Sequence, residues 1–505
     1  MAPESALDPA GATPEPLAGR ARRAIAWTAG FQLFRDLLQF GLMVVLVRLL
    51  PAEAYGQFGF VTTLIGFLAL FSAREFIGHT LLVRDEARVH YQDHFTFGVV
   101  VQLGAFALAN VLAVALRWVP AYAPVSPVLH VMSLLILIEL PSHLRTKMLE
   151  RALDWRRLRL LHGVALVTGA AVSIVLALTG WGVYALLLPT FLVPLVFAAD
   201  LLIGERWRPT WAWSWERFRP SWRFGLARIG AAGFVSAAAL VEGAWGAGAA
   251  GFAALGVFGR AVALAQLLCG RMAGLLATAV YPVLTRIAPE SETYRTASAL
   301  YLRAILWMAV PAAVLPAMLA GPIVDLLYGP AWAAARPLVP WALGAAALAA
   351  VVQTGYTLLL AHGRQDRCLR ADALRFGGTV GAVAVLLPFG LDAYLLGLGA
   401  VHLASLALVL VWLVRARIVE VRALLDAFLP PLASGAAAAA ALAGVRLLLP
   451  DDGGVVVTIA LDAAVFGTVY LAALRLAFAR PLMQLVAHLP QRRGISRVLW
   501  LPEAA

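Results

Sequence analysis

Long apolar runs, separated by short arginine-bearing segments, set the pattern of this chain. From Gly163 to Ala199 no charged side chain occurs across 37 residues, with a Thr179-Gly180-Trp181-Gly182 turn near the centre. One crossing of a bilayer needs about 20 residues at about 1.5 Å rise each, so this run fits two helices and a tight hairpin. Similar runs cover 304–324, 337–361 and 393–414. Strands of an outer-membrane barrel would alternate polar and apolar positions, and that alternation is absent. The pattern predicts fourteen spans, near 24–48, 57–82, 94–116, 126–147, 160–179, 183–203, 224–243, 251–281, 304–326, 338–361, 373–390, 393–414, 424–448 and 455–478. The predicted fold class is therefore all-α, a polytopic integral membrane protein.

Composition sharpens this reading. Of the 505 residues 62% are hydrophobic and only 13% charged, whereas soluble domains run to about 45–50% and about 25%. A soluble core could not hide that excess; lipid must cover it. Two cysteines, Cys269 and Cys368, exclude a disulfide framework, and no Cys/His spacing points to a metal. Residues 1–23 open Pro/Ala-rich and are expected to be disordered. Arg20, Arg22 and Arg23 then precede an apolar helix without a convincing cleavage site, which reads as an uncleaved first span.

The basic residues orient the chain. With the N-terminus inside, 31 of the 40 Lys plus Arg fall in cytoplasmic segments. Arg48, Arg117, Arg336 and Arg446 stay outside, and Arg35, Arg74, Arg228, Arg260 and Arg271 lie within spans. Both termini are thus expected in the cytoplasm. The net charge of +12 is spread over eight segments rather than gathered on one face, so topology explains it and nucleic acid is not an expected partner. Segment 204–223 carries Trp207, Trp211, Trp213, Trp215 and Trp222 among arginines, a membrane-interface signature. It would link a first lobe, 24–203, to a second, 224–415. Spans thirteen and fourteen (416–479) and an interfacial cytoplasmic tail (480–505) follow.

An internal repeat supports two lobes. Ala54-Tyr55-Gly56-Gln57-Phe58-Gly59 and Ala254-Leu255-Gly256-Val257-Phe258-Gly259 match at four of six positions, at an offset of 200 residues. Both sit where a span begins. Six spans lie between the copies, so both halves keep one orientation, and the repeat is parallel about an axis along the membrane normal.

Five stretches carry a family resemblance. Leu46 to Gly59 (LVRLLPAEAYGQFG), Gly182-Val183-Tyr184-Ala185-Leu186, Val257-Phe258-Gly259-Arg260-Ala261, Tyr281-Pro282-Val283-Leu284-Thr285-Arg286 and Leu327-Tyr328-Gly329-Pro330-Ala331-Trp332 resemble the bacterial polysaccharide exporters of the multidrug/oligosaccharidyl-lipid/polysaccharide superfamily. The resemblance implies a flippase for undecaprenyl-pyrophosphate-linked oligosaccharide, serving O-antigen, capsule or exopolysaccharide assembly. It implies a twelve-helix core that rocks, two extra C-terminal helices, no cofactor, and partnership with polymerase and chain-length machinery.

An ionisable group in a span costs at least about 2.5–3.5 kcal/mol at the centre, so each needs a reason. Arg35 and Asp36 lie mid-span in the first helix, Arg74 and Glu75 at comparable depth in the second. Sequence neighbours point about 100° apart, so cross-helix pairs Arg35–Glu75 or Asp36–Arg74 are expected, serving packing alone or leaving a guanidinium for a pyrophosphate. Arg260 and Arg271 are eleven residues, about three turns, apart, hence close to one face. Glu242 is the expected counter-ion of Arg260, which leaves Arg271 as the cavity candidate of that half. Asp36, Glu75, Glu139 and Glu242 are candidates for charge pairing or ion coupling; Asp325 is a further carboxylate near a helix end. Gln32, Gln39, Gln266 and Gln353 suit sugar hydroxyls or helix contacts alike. A peptidoglycan-precursor flippase and a drug/cation antiporter are the alternatives within the superfamily. A membrane-embedded polymerase or ligase would be expected to carry a large external loop, and every external loop here is short, so the chain is not expected to be an enzyme.

Overall fold

Lipid offers no partners to backbone amides, which leaves helices as the way an apolar chain satisfies them within one segment. Every element of the computed structural model, which describes residues 17–83, 85, 89–448 and 454–486, is accordingly helical. Most of the terminus 1–23, Arg84 and Arg88, and tail residues 487–505 lie outside the described residues.

Helix α1 spans Leu17–Leu49. It starts within the segment expected to be disordered, because its basic opening turns are good helix formers that run on into the apolar span. There follow α2 (Ala52–Ala69), α3 (Ala73–Ile77), α4 (Tyr91–Arg117), α5 (Ser126–Arg151), α6 (Trp155–Leu178), α7 (Tyr184–Leu187) and α8 (Leu192–Ala199). Then come α9 (Trp215–Ala265), α10 (Arg271–Leu284), α11 (Glu292–Met318), α12 (Ala320–Leu327), α13 (Leu338–Ala361) and α14 (Gln365–Leu386). Helices α15 (Leu391–Arg415), α16 (Val421–Leu448), α17 (Val455–Ala477) and α18 (Ala479–Val486) complete the chain. Among the described residues twelve helices are long and apolar enough to cross a membrane, thirteen if the bent pair Ala52–Ala69 and Ala73–Leu81 is one span. The expected fourteen is reached only if the 53-residue run Ala232–Leu284 is also counted as two.

Two breaks in these long runs have local causes. Between α2 and α3 the axis turns by 52°. Ser72 caps the new helix: its Oγ accepts from the Arg74 amide and donates to the Ala69 carbonyl at 2.7 Å, so both freed backbone groups are satisfied. In α9 the break is Gly251, with φ 83° and ψ 165°, a conformation that a residue with a Cβ resists. A five-residue π turn, Gln266–Gly270, follows before α10.

By contacts the chain forms two compact units: 1–50 with 68–119 and 125–230, and 51–67 with 120–124 and 231–505. In the first, the Trp-rich segment is fastened to the start of α4. Gln92 Nε2 donates to the Arg208 carbonyl at 3.0 Å, the Thr210 amide donates to Gln92 Oε1 at 2.9 Å, and the Ala212 amide donates to Thr96 Oγ1 at 3.1 Å. Arg217 grips the buried Asp93 through two bonds of 2.7 and 2.8 Å. The hydrogen bonds to that carboxylate raise the Arg217 guanidinium above its ordinary value. Phe76, Phe97, Phe218 and Trp222 stack beneath the segment, Phe97 and Phe218 with ring centres 4.6 Å apart.

The core of the second unit lies where α11, α13, α15, α16 and α17 meet, around Tyr294, Leu302, Leu358, Val409, Leu442 and Phe466. Tyr294 and Tyr470 each donate to a carbonyl of a neighbouring helix, Leu358 and Trp307, both at 3.1 Å. Leu482 joins this core, so the beginning of the tail packs on protein.

The same unit holds the crossing of the repeat with itself. A methyl group placed on Gly56 would lie 1.8 Å from the Phe252 carbonyl oxygen, and one on Gly256 would lie 1.8 Å from the Ala52 carbonyl oxygen. Each contact is the other displaced by 200 residues. Residues four apart share a helix face, so the two copies of the motif meet glycine to backbone across a local two-fold relation.

Candidate functional site

Two of the expected charge pairings are replaced by others. Arg35 meets its own neighbour: its Nε and Nη2 donate to Asp36 Oδ1 at 3.4 and 3.3 Å, and Gln32 donates to the same carboxylate at 3.3 Å from one turn before. The Cβ atoms diverge, but the long guanidinium stem curls back along the helix surface, where both groups are about one-third exposed. Glu75, nearly buried, is taken by Arg228 of α9 at 2.6 Å rather than by Arg35, while Arg74 stands 3.9 Å away. Arg74 and Arg228 keep 60% and 57% of their side chains exposed, so this carboxylate anchors two guanidiniums that still reach outward.

Arg260 does not meet Glu242. Its guanidinium lies over the Tyr55 ring, 4.5 Å from the centroid, and its carbonyl accepts from the Tyr328 hydroxyl at 3.1 Å. Trp332 closes the cluster edge-on, 5.5 Å from Tyr55 and 5.8 Å from Tyr328. The Arg260 Nε is buried without an acceptor among the described residues, so aromatic faces, not a carboxylate, offset this charge. Three of the five motif stretches therefore converge: the first supplies Tyr55, the third Arg260, the fifth Tyr328 and Trp332. The separation of 68 residues between Arg260 and Tyr328 hides this from a linear reading.

Glu242 instead lines a cavity of about 450 Å³ within the second unit, together with Gln266, Arg375, Thr379, Leu395 and His402. The Tyr394 hydroxyl donates to Glu242 Oε1 at 2.6 Å. His402 donates from Nδ1 to the Leu398 carbonyl at 2.8 Å, which leaves Nε2 as an acceptor. Arg375 reaches Asp372 at 3.4 Å, and Asp372 accepts from Tyr356 at 3.0 Å. Gln266 belongs to the π turn, a distortion that widens a helix at one point; its amide packs where a side chain on Gly270 would stand. Arg271, half-buried, begins the next helix directly after it.

Tyr394, Arg375, Asp372 and Tyr356 are additions that sequence reasoning missed. Arg375 counted as a loop arginine, whereas α14 starts at Gln365 and carries it about 15 Å along the helix. The nearby Asp372, one turn earlier, was a legible signal for a paired site. Of the other candidates, Glu139 stands 3.6 Å from His143 on the next turn, and Asp325 forms an exposed pair with Arg336 at 2.6 Å.

Comparisons with known proteins bear on this arrangement. Residues 45–361 match the family described as Polysaccharide biosynthesis protein. The succinoglycan biosynthesis transport protein ExoT of Rhizobium meliloti (strain 1021) is 26% identical over 223 residues, 43% of this chain and 44% of that protein. The match thus spans less than half of that relative's length. A solved structure of the lipid II flippase MurJ, in an inward closed conformation, is similar with a TM-score of 0.67 at 12% identity, over 90% of this chain and 99% of that one. An inward-facing multidrug resistance MATE family transporter of the MOP superfamily gives 0.54 at 18% identity, over 78% and 98%. At such identities the likeness is one of fold. The family match runs through all five motif stretches and through the Arg260 cluster that three of them build; this multi-pass helical membrane protein belongs to the polysaccharide biosynthesis protein family.

Proposed function

We propose that the protein is a flippase that carries undecaprenyl-pyrophosphate-linked oligosaccharide across the bacterial cytoplasmic membrane by alternating access, for O-antigen, capsule or exopolysaccharide assembly. The observation that carries this reading is the family match over 45–361, which joins a polysaccharide assignment to a helical transporter fold. The name of the succinoglycan relative points the same way. Lobes 24–203 and 224–415, joined by 204–223, would rock against each other, with both termini in the cytoplasm.

Exposed guanidiniums anchored on a buried carboxylate suit a substrate that is anionic at its head and must be released again. Arg74, held loosely at 3.9 Å from Glu75, and Arg35 beside Asp36 are the proposed pyrophosphate contacts of the first half. Arg271 is proposed for the second. Arg260, enclosed by aromatic rings, is proposed to position the Tyr55 and Tyr328 segments. Glu242, with Tyr394 and His402, is the proposed coupling carboxylate: a group inside a cavity can exchange a proton or bind a cation as that cavity changes exposure.

The test is rescue of surface glycan in a strain deleted for its own polysaccharide flippase. Wild type is expected to rescue, and Arg74→Ala to fail while accumulating in the membrane. A second reading, a peptidoglycan-precursor flippase, draws on the fold shared with MurJ. Rescue of a strain lacking the peptidoglycan flippase, without rescue of surface glycan, would replace the first reading by this one.

A further inference from the structure

Beyond the transport path, α1 and α6 enclose a groove of about 790 Å³ within the first unit. Its walls are apolar: Phe31, Phe34, Leu160, Val164 and Val167, with Gly163 forming the floor. Leu160, Val164 and Val167 are at least half exposed, so the groove opens to its surroundings. A side chain on Gly163 would meet nothing nearer than Phe31 Cε2 at 3.7 Å, which shows the hollow is room left by a missing side chain.

One end is basic. Arg159 stands there, one turn into α6, its guanidinium 5.5 Å from the Phe31 ring centre and 5.7 Å from that of Trp155. Its Nε is buried and has no acceptor, and the side chain makes no ion pair among the described residues. Arg35 is close enough to act on it electrostatically, as is Glu150, which Lys147 engages at 2.6 Å. A guanidinium fixed between two rings and lacking an acceptor, at the head of an apolar trough, matches an amphiphile with an anionic head.

We propose that this groove binds one anionic phospholipid, its phosphodiester on Arg159 and an acyl chain along Gly163 and Val167. The dimensions favour a phospholipid over a polyprenyl carrier. From Arg159 to Thr168 the wall is ten residues, about 14 Å long, close to half of the roughly 30 Å hydrocarbon core, hence one leaflet. A polyprenyl chain is far longer than that wall. Arg159 has no carboxylate partner among the described residues and its neighbour Arg35 is engaged by Asp36, so one guanidinium is left for a single negative charge, whereas a pyrophosphate would call for more donors. On the proposed topology the leaflet is the inner one. The site takes a lipid other than the cargo, and because Arg35 rather than Arg159 is the proposed pyrophosphate contact, its failure would leave the flippase reading untouched.

The test uses the full chain, purified in detergent and titrated with phosphatidylglycerol or phosphatidylcholine while bound lipid is counted by native mass spectrometry. Phosphatidylglycerol is expected to bind about fivefold more tightly, the usual weight of one basic residue at a lipid surface. Arg159→Gln should erase that preference. Gly163→Leu should weaken binding of the same lipid with Arg159 intact, since it fills the trough without touching backbone. An unchanged circular dichroism spectrum identifies folded variants. The proposal fails if neither variant alters the preference, if Gly163→Leu binds like wild type, or if a polyprenyl phosphate displaces phosphatidylglycerol from this groove at equal concentration.

Discussion

Adding one methyl group at the crossing of the repeat tests the packing most directly. In Gly56→Ala the new Cβ would stand 1.8 Å from the Phe252 carbonyl oxygen, and ordinary contact begins at 3.4 Å, so the helices must part by about 1.6 Å. Nothing flexible can yield, because the opposing atoms are backbone on both sides. Overpacking of a close contact costs about 1–3 kcal/mol. Applied to an equilibrium between states with this crossing closed or open, that shifts the population about 5- to 150-fold toward the open one. Gly256→Ala meets Ala52 in the two-fold-related way and should give the same shift. Since either methyl already forces the separation that the other needs, the double variant should cost clearly less than the sum. Spin labels on the exposed, repeat-related Glu53 and Ala253 would report the distance across the crossing, with glycan export read in parallel. An unchanged distance distribution in Gly56→Ala, or fully additive costs in the double variant, would refute the reciprocal contact.

Further perturbations separate the roles of the charges. Arg35→Ala is expected to abolish surface glycan with normal membrane accumulation of the protein; unaltered export removes Arg35 from the substrate path. Tyr394→Phe leaves the Glu242 carboxylate without its hydroxyl donor and should lower stability by about 1–3 kcal/mol, read as a drop in the thermal midpoint. Glu242→Gln keeps an acceptor for Tyr394 and should fold normally, yet make export in vesicles indifferent to an imposed ion gradient; retained gradient dependence would assign coupling elsewhere. Arg260→Met should cost about 0.5–2 kcal/mol through the lost contact with Tyr55, and glycan export by the folded fraction should persist, unlike that of Arg74→Ala.

Spans were legible where one physical rule governs alone. The apolar stretch read as 338–361 is α13, Leu338–Ala361, because lipid or protein covers it throughout and a short turn ends it. The span read as 57–82 is broken at Ser72 instead. Ser72 followed by Arg74-Glu75 was a legible helix-start signal, outweighed by the apolar residues on both sides. Likewise Gly251 was visible as a residue, but its positive φ is a property of the fold.

Pairing of charges was legible only as a necessity. A buried carboxylate must find a donor, yet Glu75 finds Arg228 across 153 residues, Asp93 finds Arg217 across 124, and Glu242 finds Tyr394 across 152. Nothing in helical periodicity ranks such partners; comparable depth in the membrane pointed Glu75 to Arg35, and proximity along the chain pointed Glu242 to Arg260. The same limit explains Arg260, where a ring quadrupole from another segment takes the place of a carboxylate. The repeat escapes this limit because it states a long-range relation within the sequence. An offset of 200 residues says that whatever Gly56 touches, Gly256 touches by symmetry, and the cheapest way for two such copies to touch closely is at the symmetry axis itself, glycine against backbone. A crossing of that kind holds no side chain that could bridge a gap as it opens. Closed, it is tight; parted by about the width of one methyl group, it retains almost no attraction, since dispersion falls away within an ångström of contact. Such a joint favours two discrete arrangements over a continuum of intermediate ones, as alternating access requires.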